Sequence, residues 1–573
     1  MATRGRSRCL DAFTTALSQA SEEGEQHWYD STLELHLVSL EFCMACRSIP
    51  TLHVRVENRT PRSLWSPPPP EAQSGMSSGS SKKKGRASSR VPVVRALRLT
   101  WKLPMDVLVR GANIELWQCS AVLHLQGSVS GSSLRSVIWP QGLRQLVLDD
   151  HFNHSITGIV WPPSLRQLSF GFYFDQPITG VVWPASLQQV SFGYLFNQPI
   201  TDVAWPACLQ QLSLGYYFNQ PIVGAKWPIS LQQLSLGEDF KQPIVGVVWP
   251  ASLRTVKFGS EFNQPISGVV WPTTMQKLSF GFRFNQPVAG VVWPASLLKL
   301  SFGFSFNQPI TDAAWPASLQ QLSFGREFNQ PIAGVVWPTS LQQLSFGRTF
   351  NTPVAGVVWP PSLQMVRFGR DFNQPIADVA WPPSLLRVLF GYCFNQPITD
   401  VAWPASLQLL SFDHRFNQPI DGVVWPASLQ QLSFGHSFNQ PIAEVLWPAS
   451  LQQISFGRDF DRPIAGVAWP ASLQQISFEG CFNQSITGVL WPISLRSLSI
   501  WGDFNQPIDD VAWPASLQKF SLGPRFNQPL AGVKWPASLQ EVSFSDGFNQ
   551  PVDHVAWPAS IRKVTGRGGV SLL

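Results

Sequence analysis

The chain is short of charge, of long apolar runs, of paired cysteines and of catalytic signatures, and each shortage excludes a class. Only 13% of its 573 residues are charged, against 44% hydrophobic and 12% aromatic. That balance belongs to an ordered chain rather than a self-repelling disordered one. No apolar run reaches the ~20 residues that a membrane-spanning helix requires, so no membrane partner is expected. The opening segment, MATRGRSRCLDAFTTALSQA, has no continuous apolar stretch and argues against a secretory signal. Its arginine, serine and scarcity of acid leave an organellar transit peptide open.

The seven cysteines are scattered. Cys43 and Cys46 form a lone C-x-x-C with no second pair or His couple beside it, a weak basis for zinc or redox chemistry. The thiols suit a reducing compartment. Phosphate-loop, nucleophile-elbow and H-E-x-x-H motifs are absent. The expectation is therefore a non-enzymatic protein with no cofactor and no metal. His414 and His436 share a repeat position in neighbouring coils, but a solvated pair is favoured over a chelate.

The net charge of +6 would suggest nucleic acid if it were spread over the chain. It is not. Residues 61–95 hold Arg62, Lys82, Lys83, Lys84, Arg86, Arg90 and Arg95 against Glu71 alone, which leaves 34 basic and 34 acidic groups elsewhere. Nucleic acid is thus the alternative reading, resting on this segment and on an arginine column described below.

What is present is repetition. Trp-Pro recurs from Trp139 to Trp557 at intervals of 22 residues without a slip. An unvarying interval means that each repeat closes one coil of the same length. Numbered from Trp as position 1, the consensus is W-P-A-S-L-Q-Q-L-S-F-G-x-x-F-N-Q-P-I-x-G-V-V. The fold class predicted is a mainly β repeat solenoid of about twenty coils, with one short parallel strand per coil and little regular helix. The chain divides into a small N-terminal β-rich element over 1–59, where Leu33, Leu35, Leu37 and Leu52, Val54, Val56 alternate, and a basic Pro/Ser linker over 60–90, expected to be disordered. Degenerate capping coils follow over 91–138, and the array fills 139–573.

Within a coil, alternation places positions 8 and 10 (Leu344 and Phe346 in one coil) inward and 7, 9 and 11 outward. Position 14 is Phe in every coil, Phe328 among them, and should be buried beside the Trp column of Trp161, Trp337 and Trp425. Position 15 is nearly always Asn, as at Asn329, Asn351 and Asn439, and should form a ladder that satisfies backbone groups at a turn. Lys241 interrupts that ladder. Proline at positions 2 and 17 rules out regular helix on the return path, leaving extended or 3₁₀ segments. Gly or Asp at position 20 suits a positive-φ turn. Asp202, Asp378, Asp400 and Asp510 each precede an alanine two places on, which reads as local repacking. Asn153 and Asn483 head N-x-S/T triplets, but burial in the ladder should protect them from glycosylation.

These residues carry a resemblance. F-N-x-P-I with W-P-x-S-L-x-x-L-x-F-G resembles the FNIP repeat, a 22-residue relative of the leucine-rich repeats, over residues ~139–565. The resemblance implies a leucine-rich-repeat-like solenoid and, broadly, protein–protein interaction. Trp stands here where Leu is more usual before Pro. Some members add an F-box or a kinase domain; neither is recognisable here.

Position 12 varies most informatively. It holds Phe172, Tyr194 and Tyr216, then Phe282 and Phe304, then Arg326, Arg348 and Arg370, then Tyr392; Tyr173 and Tyr217 lie next to it. Exposed aromatic and arginine clusters are typical of interaction surfaces. The partner expected is a protein with an acidic, partly apolar segment, and the oligomeric state is open. The compartment expected is the cytoplasm, or the nucleus if KKKGR at 82–86 acts as an import signal.

Overall fold

The computed structural model describes residues 141–566, residues 134, 135, 137 and 139 just before them, and the backbone of three earlier strands. Residues 1–50 and the linker at 60–90 lie outside the described residues. Two compact units result, Met1–Phe240 and Lys241–Leu573.

In the first unit β1 (Thr51–Val56) pairs in parallel with β2 (Ala96–Trp101), β2 with β3 (Val122–Leu125), and β3 with β4 (Gln145–Val147). From β4 onward one three-residue strand appears per repeat, through β5 (Gln167–Ser169), β6 (Gln189–Ser191) and β7 (Gln211–Ser213) to β8 (Gln233–Ser235). The second unit likewise has one strand of three or four residues per repeat, from β9 (Thr255–Lys257) to β23 (Lys563–Thr565). Register never drifts: Leu322 of β12 (Gln321–Ser323) faces Leu344 of β13 (Gln343–Ser345), and Val366 of β14 (Met365–Arg367) faces Val388 of β15 (Arg387–Leu389). The identical 22-residue interval gives this result, since every coil returns its strand to the same height.

Three corners close each coil, and each is a turn with an i+3 to i hydrogen bond. Phe350 N–H donates to Gly347 O at 3.4 Å, Val335 to Ile332 O at 3.3 Å, and Leu341 to Pro338 O at 3.1 Å. The second corner explains the glycine at position 20. Gly334 occupies the third place of its turn with φ +80°, the geometry of a type II turn. No described residue from 141 on is helical, and the return path is extended between turns, with no 3₁₀ segment. Two prolines per coil supply fixed φ angles and remove the donors a helix would need.

The core is a set of aligned columns. Leu344, Phe350, Leu341 and Val354 are fully buried, and Phe328 likewise. Trp161, Trp337 and Trp425 are buried at 6%, 6% and 8% exposure. Phe324 stacks on Phe328 within its coil at 4.1 Å, while Phe328 stands 6.0 Å from Phe350 in the next. The indole N–H groups of Trp161, Trp337 and Trp425 are buried without an acceptor. The tryptophans thus act through apolar bulk, and their polar handle is a cost.

Polar ladders tie the coils together. Asn351 N–H donates to Asn329 Oδ1 at 2.8 Å, Asn329 N–H to Asn307 Oδ1 at 2.9 Å, and Gln330 Nε2 to Asn307 O at 3.0 Å. A second ladder, which the sequence reading missed, runs through position 4: Ser340 Oγ donates to Leu319 O and Ser384 Oγ to Leu363 O. Hydroxyl rotors at an otherwise featureless Ser column leave no periodic mark to read.

Four expectations are corrected or narrowed. Position 11 faces solvent where it carries a side chain, as at Asp413, Glu479 and Trp501, but in most coils it is glycine for a steric reason. A Cβ on Gly347 would lie 1.5 Å from Gly325 O, so glycine is there because the coils touch backbone to backbone. Where position 11 is Glu479 or Trp501, the glycine moves to position 12, as Gly480 (φ +64°) and Gly502 (φ +96°). The Glu479 and Trp501 N–H groups then join the ladder, and β19 (Gln475–Phe478) and β20 (Ser497–Ile500) extend to four residues. The Asp–Ala pairs are not repacking, because Ala204, Ala380, Ala402 and Ala512 are exposed. The return path lacks the 3₁₀ alternative. Finally, the asparagine ladder sits at the rim: Asn329 and Asn351 are exposed and Asn439 half-buried. Asn153 is exposed too, so burial does not shield it.

Replacing Trp337 by Ala should cost about 3–5 kcal/mol, concentrated in adjoining coils because solenoid energetics are nearest-neighbour. Trp337→Phe removes the orphan donor, whose burial costs about 1–3 kcal/mol, and should melt much closer to the parent. Thermal melts followed by circular dichroism decide it; equal losses would show that the indole N–H is satisfied and needed.

The ladder makes a prediction by hydrogen exchange. The residue one coil before Asn263 is Lys241, whose side chain has no oxygen to accept an amide proton. The Asn263 amide should exchange faster than that of Asn329. Because the ladder is rim-exposed, Asn329→Leu should cost about 0.5–1.5 kcal/mol, the net worth of an ordinary hydrogen bond, rather than the penalty of a buried orphan.

Candidate interaction surface

Position 12 is the second residue of the turn after each strand, so its side chains line up coil upon coil along the rim of the sheet. In the first unit Phe172 lies on Tyr194 at 4.5 Å between ring centroids, and Tyr194 on Tyr216 at 4.4 Å. Tyr173 and Tyr217 meet this stack edge-on. Phe172, Tyr173, Tyr216 and Tyr217 are each about two-fifths exposed. Burial against these neighbours, and then Tyr217, push the Tyr194 hydroxyl above its ordinary titration range.

In the second unit Phe282 stacks on Phe304 at 4.2 Å, well inside the 6.1 Å that separates the buried Phe284 and Phe306 of the same coils. The Arg326 guanidinium lies 4.8 Å from the Phe304 centroid, and that of Arg370 lies 4.6 Å from Tyr392. Tyr392 also receives Arg415 at 5.5 Å and stacks on His414 at 4.3 Å. The column is thus a run of rings and cations, with Arg348, half-buried, between the two cation–π pairs. Such contacts contribute about 0.5–1 kcal/mol each at exposed sites. The three arginines therefore do not simply repel one another; two are held by aromatic faces. No ion pair engages Arg326, Arg348 or Arg370 among the described residues, where the pairs formed include Arg283–Glu261 and Lys519–Glu541.

His414 and His436 contact each other through their Nδ1 atoms at 2.5 Å. Among the described residues no group of three or more His, Cys, Asp or Glu is placed to hold a metal.

Beside the arginines runs a groove of about 730 Å³, which the sequence reading did not anticipate. Its walls include Ser345, Arg348, Arg367, Arg370, His436 and Glu479. Its floor is the column of position 9, where small serines hydrogen-bond along the axis, as Ser455 Oγ to Ser433 Oγ at 2.8 Å. Arg367 and Leu389 interrupt that serine column in successive coils, and Arg367 is the charged one. A second unforeseen feature is position 22, where Val248, Val270, Val292, Val336 and Val358 are about four-fifths exposed. Lys226 and Lys534 in the same column mark it as solvent-facing.

The FNIP Repeat family model matches residues 152–195, 196–239, 218–261, 240–283, 284–327, 306–349 and 394–437. No curated protein sequence matches the chain. Among solved structures it is similar to CroV588, a circular leucine-rich-repeat protein, at 33% identity and TM-score 0.65, over 82% of this chain and 79% of that one. It is also similar to a chain of the Drosophila Toll–Spatzle complex at 10% identity and TM-score 0.49, over 81% of this chain and 65% of that one. With the repeat matched and a third of residues shared over most of a solved leucine-rich-repeat solenoid, the chain belongs to the FNIP-repeat family of leucine-rich-repeat-like proteins.

Proposed function

We propose that this protein is a non-enzymatic binding scaffold that holds an acidic, partly apolar protein segment on the column from Phe282 to Tyr392. The observation that supports the reading most is the stacked order Phe282–Phe304–Arg326 beside an Arg348 that has no ion-pair partner among the described residues. Rings and guanidinium groups fixed by stacking lose little freedom on binding, and that preorganisation favours affinity. Carboxylates would meet Arg326, Arg348 and Arg370, while the exposed edges of Phe282 and Phe304 would take an apolar side chain.

The same residue types could suit single-stranded nucleic acid, which stacks its bases on aromatic faces. Here the faces of Phe304 and Tyr392 are taken, and Phe282 is covered by a ring on one side. Phe304 is flanked by Phe282 and Arg326, and Tyr392 by Arg370 and His414, leaving edges rather than faces for a partner. The protein reading is therefore preferred. It goes with a reducing compartment, cytoplasmic or nuclear, in keeping with the free thiols of Cys208, Cys393 and Cys481.

Fluorescence anisotropy with the full chain and a labelled glutamate-rich peptide carrying one phenylalanine tests this. Arg348→Glu and Phe304→Ser should each weaken binding by about tenfold or more, equivalent to 1.4 kcal/mol, with circular dichroism unchanged. Undiminished binding by both variants would show that the column is not the binding face. A labelled oligonucleotide binding more tightly than the peptide, with a steep log-linear fall in salt, would favour the nucleic-acid reading instead.

A further inference from the structure

The groove beside the column carries a more specific reading, which rests on the scaffold proposal and sharpens its partner. Three guanidinium groups converge on it from two neighbouring coils. Arg348 and Arg370 hold the same position in successive coils at the rim. Arg367 reaches the groove from the strand itself, at the end of β14, where its neighbours in the parallel register are Ser345 and Leu389. Arg367 and Arg370 are exposed and Arg348 half-buried. None of the three forms an ion pair among the described residues, and the acids lining the same groove, Asp413 and Glu479, belong to later coils. Positive charge is therefore concentrated at one end of the groove and left uncompensated there.

The backbone adds a donor at the same place. In these coils the strand ladder ends at position 10, where Phe346 N–H donates to Arg367 O at 2.9 Å. The next amide engaged is at position 13, Thr349 N–H to Arg326 O and Asp371 N–H to Arg348 O. The N–H groups of Gly369 and Arg370, between those points, donate to no protein acceptor among the described residues. The Arg370 amide, on an exposed residue, adds a donor to the arginines and a serine hydroxyl that line the groove. A carboxylate offers two oxygens and one charge; a phosphoryl group offers three oxygens and nearly two charges. Three planar guanidinium forks match the second better.

We propose that the Arg348–Arg367–Arg370 end of the groove binds the phosphoryl group of a phosphorylated serine or threonine on the partner segment. Geometry sets the spacing of that segment. The Phe304 coil lies three coils before the Arg370 coil, ~14 Å at ~4.8 Å per coil, which an extended peptide covers in about four residues at ~3.4 Å each. A segment with an aromatic side chain at one end and a phosphoserine four residues later would engage both parts at once. Glycine and serine along the floor leave room for its main chain.

The test uses the full chain and labelled acidic peptides with a phenylalanine four residues before a serine, in unmodified, phosphorylated and serine-to-glutamate forms. The phosphorylated form should bind at least about tenfold tighter than the unmodified one, as expected when one to three charge-assisted hydrogen bonds are gained, with the glutamate form between them. Inorganic phosphate should compete away that gain. Arg367→Gln should abolish the gain and leave the unmodified peptide bound as before, because Arg367 lies outside the aromatic–arginine column. Equal binding of unmodified and phosphorylated peptides overturns the phosphoryl site while the scaffold reading stands. A phosphate preference that survives Arg367→Gln overturns its placement in the groove. If the parent binds none of the three peptides, the scaffold reading fails and this inference fails with it.

Discussion

Within each unit, coil is bonded to coil at a sequence separation of 22 residues or within one of it, and the rest of the structure depends on that contact. Strand pairing, the amide ladder at position 15 and the hydroxyl ladder at position 4 all observe it, as in Asn351 to Asn329, Ser340 to Leu319 and Leu322 to Leu344. A coil of this length has too little apolar surface to fold alone, so burial comes from its neighbours. The glycine column shows how close the neighbours lie, since even a methyl group on Gly347 would penetrate the Gly325 carbonyl. At Glu479 and Trp501, where that glycine is lost, a glycine follows one residue later and the turn is rebuilt there, whereas Asp413 and Ser545 keep the ordinary turn.

This constraint separates residues that must repeat from those free to differ. Columns 1, 5, 8, 10 and 14 face inward, and their aromatic and aliphatic side chains meet copies of themselves. Position 12 leaves the turn toward solvent, so it can carry phenylalanine, arginine, tyrosine or histidine without disturbing the coil. Because the coils hold their variable residues in line, a ring in this column meets whichever ring or guanidinium the next coil places there. Arg326 on Phe304 and Arg370 on Tyr392 are consequences of stacking order, not of any local motif.

Much of the coil was legible in the sequence because it rests on periodicity. The strand, the inward Leu344 and Phe346, the Trp column, the Phe column and the amide ladder were all readable from repeated residue type. Three things were not. Gly347 reads only as an outward position, but the reason it is glycine lies in a carbonyl one coil away. The two valines of the G-V-V phrase are alike in the sequence, yet Val335 is buried and Val336 is exposed. The rim position of Asn329 depends on which side of the turn faces water, and residue type does not report that. Of the candidate site, the membership of the column was legible. Its cation–π order and the groove formed with Arg367 required the strand register, which brings position 9 of one coil beside position 12 of its neighbours.

The claim that the coil, not the residue, is the unit of this fold is open to one direct measurement. Two variants are compared by thermal melting and amide exchange: a second copy of residues 337–358 inserted after residue 358, and a single alanine inserted between Leu344 and Ser345. The account predicts that the added coil leaves the melting temperature unchanged or raised. The one alanine should shift the strand's inward and outward residues and collapse protection in the adjoining coils. A chain that unfolds on gaining a whole coil, or that melts like the parent with one extra residue in its strand, would contradict it.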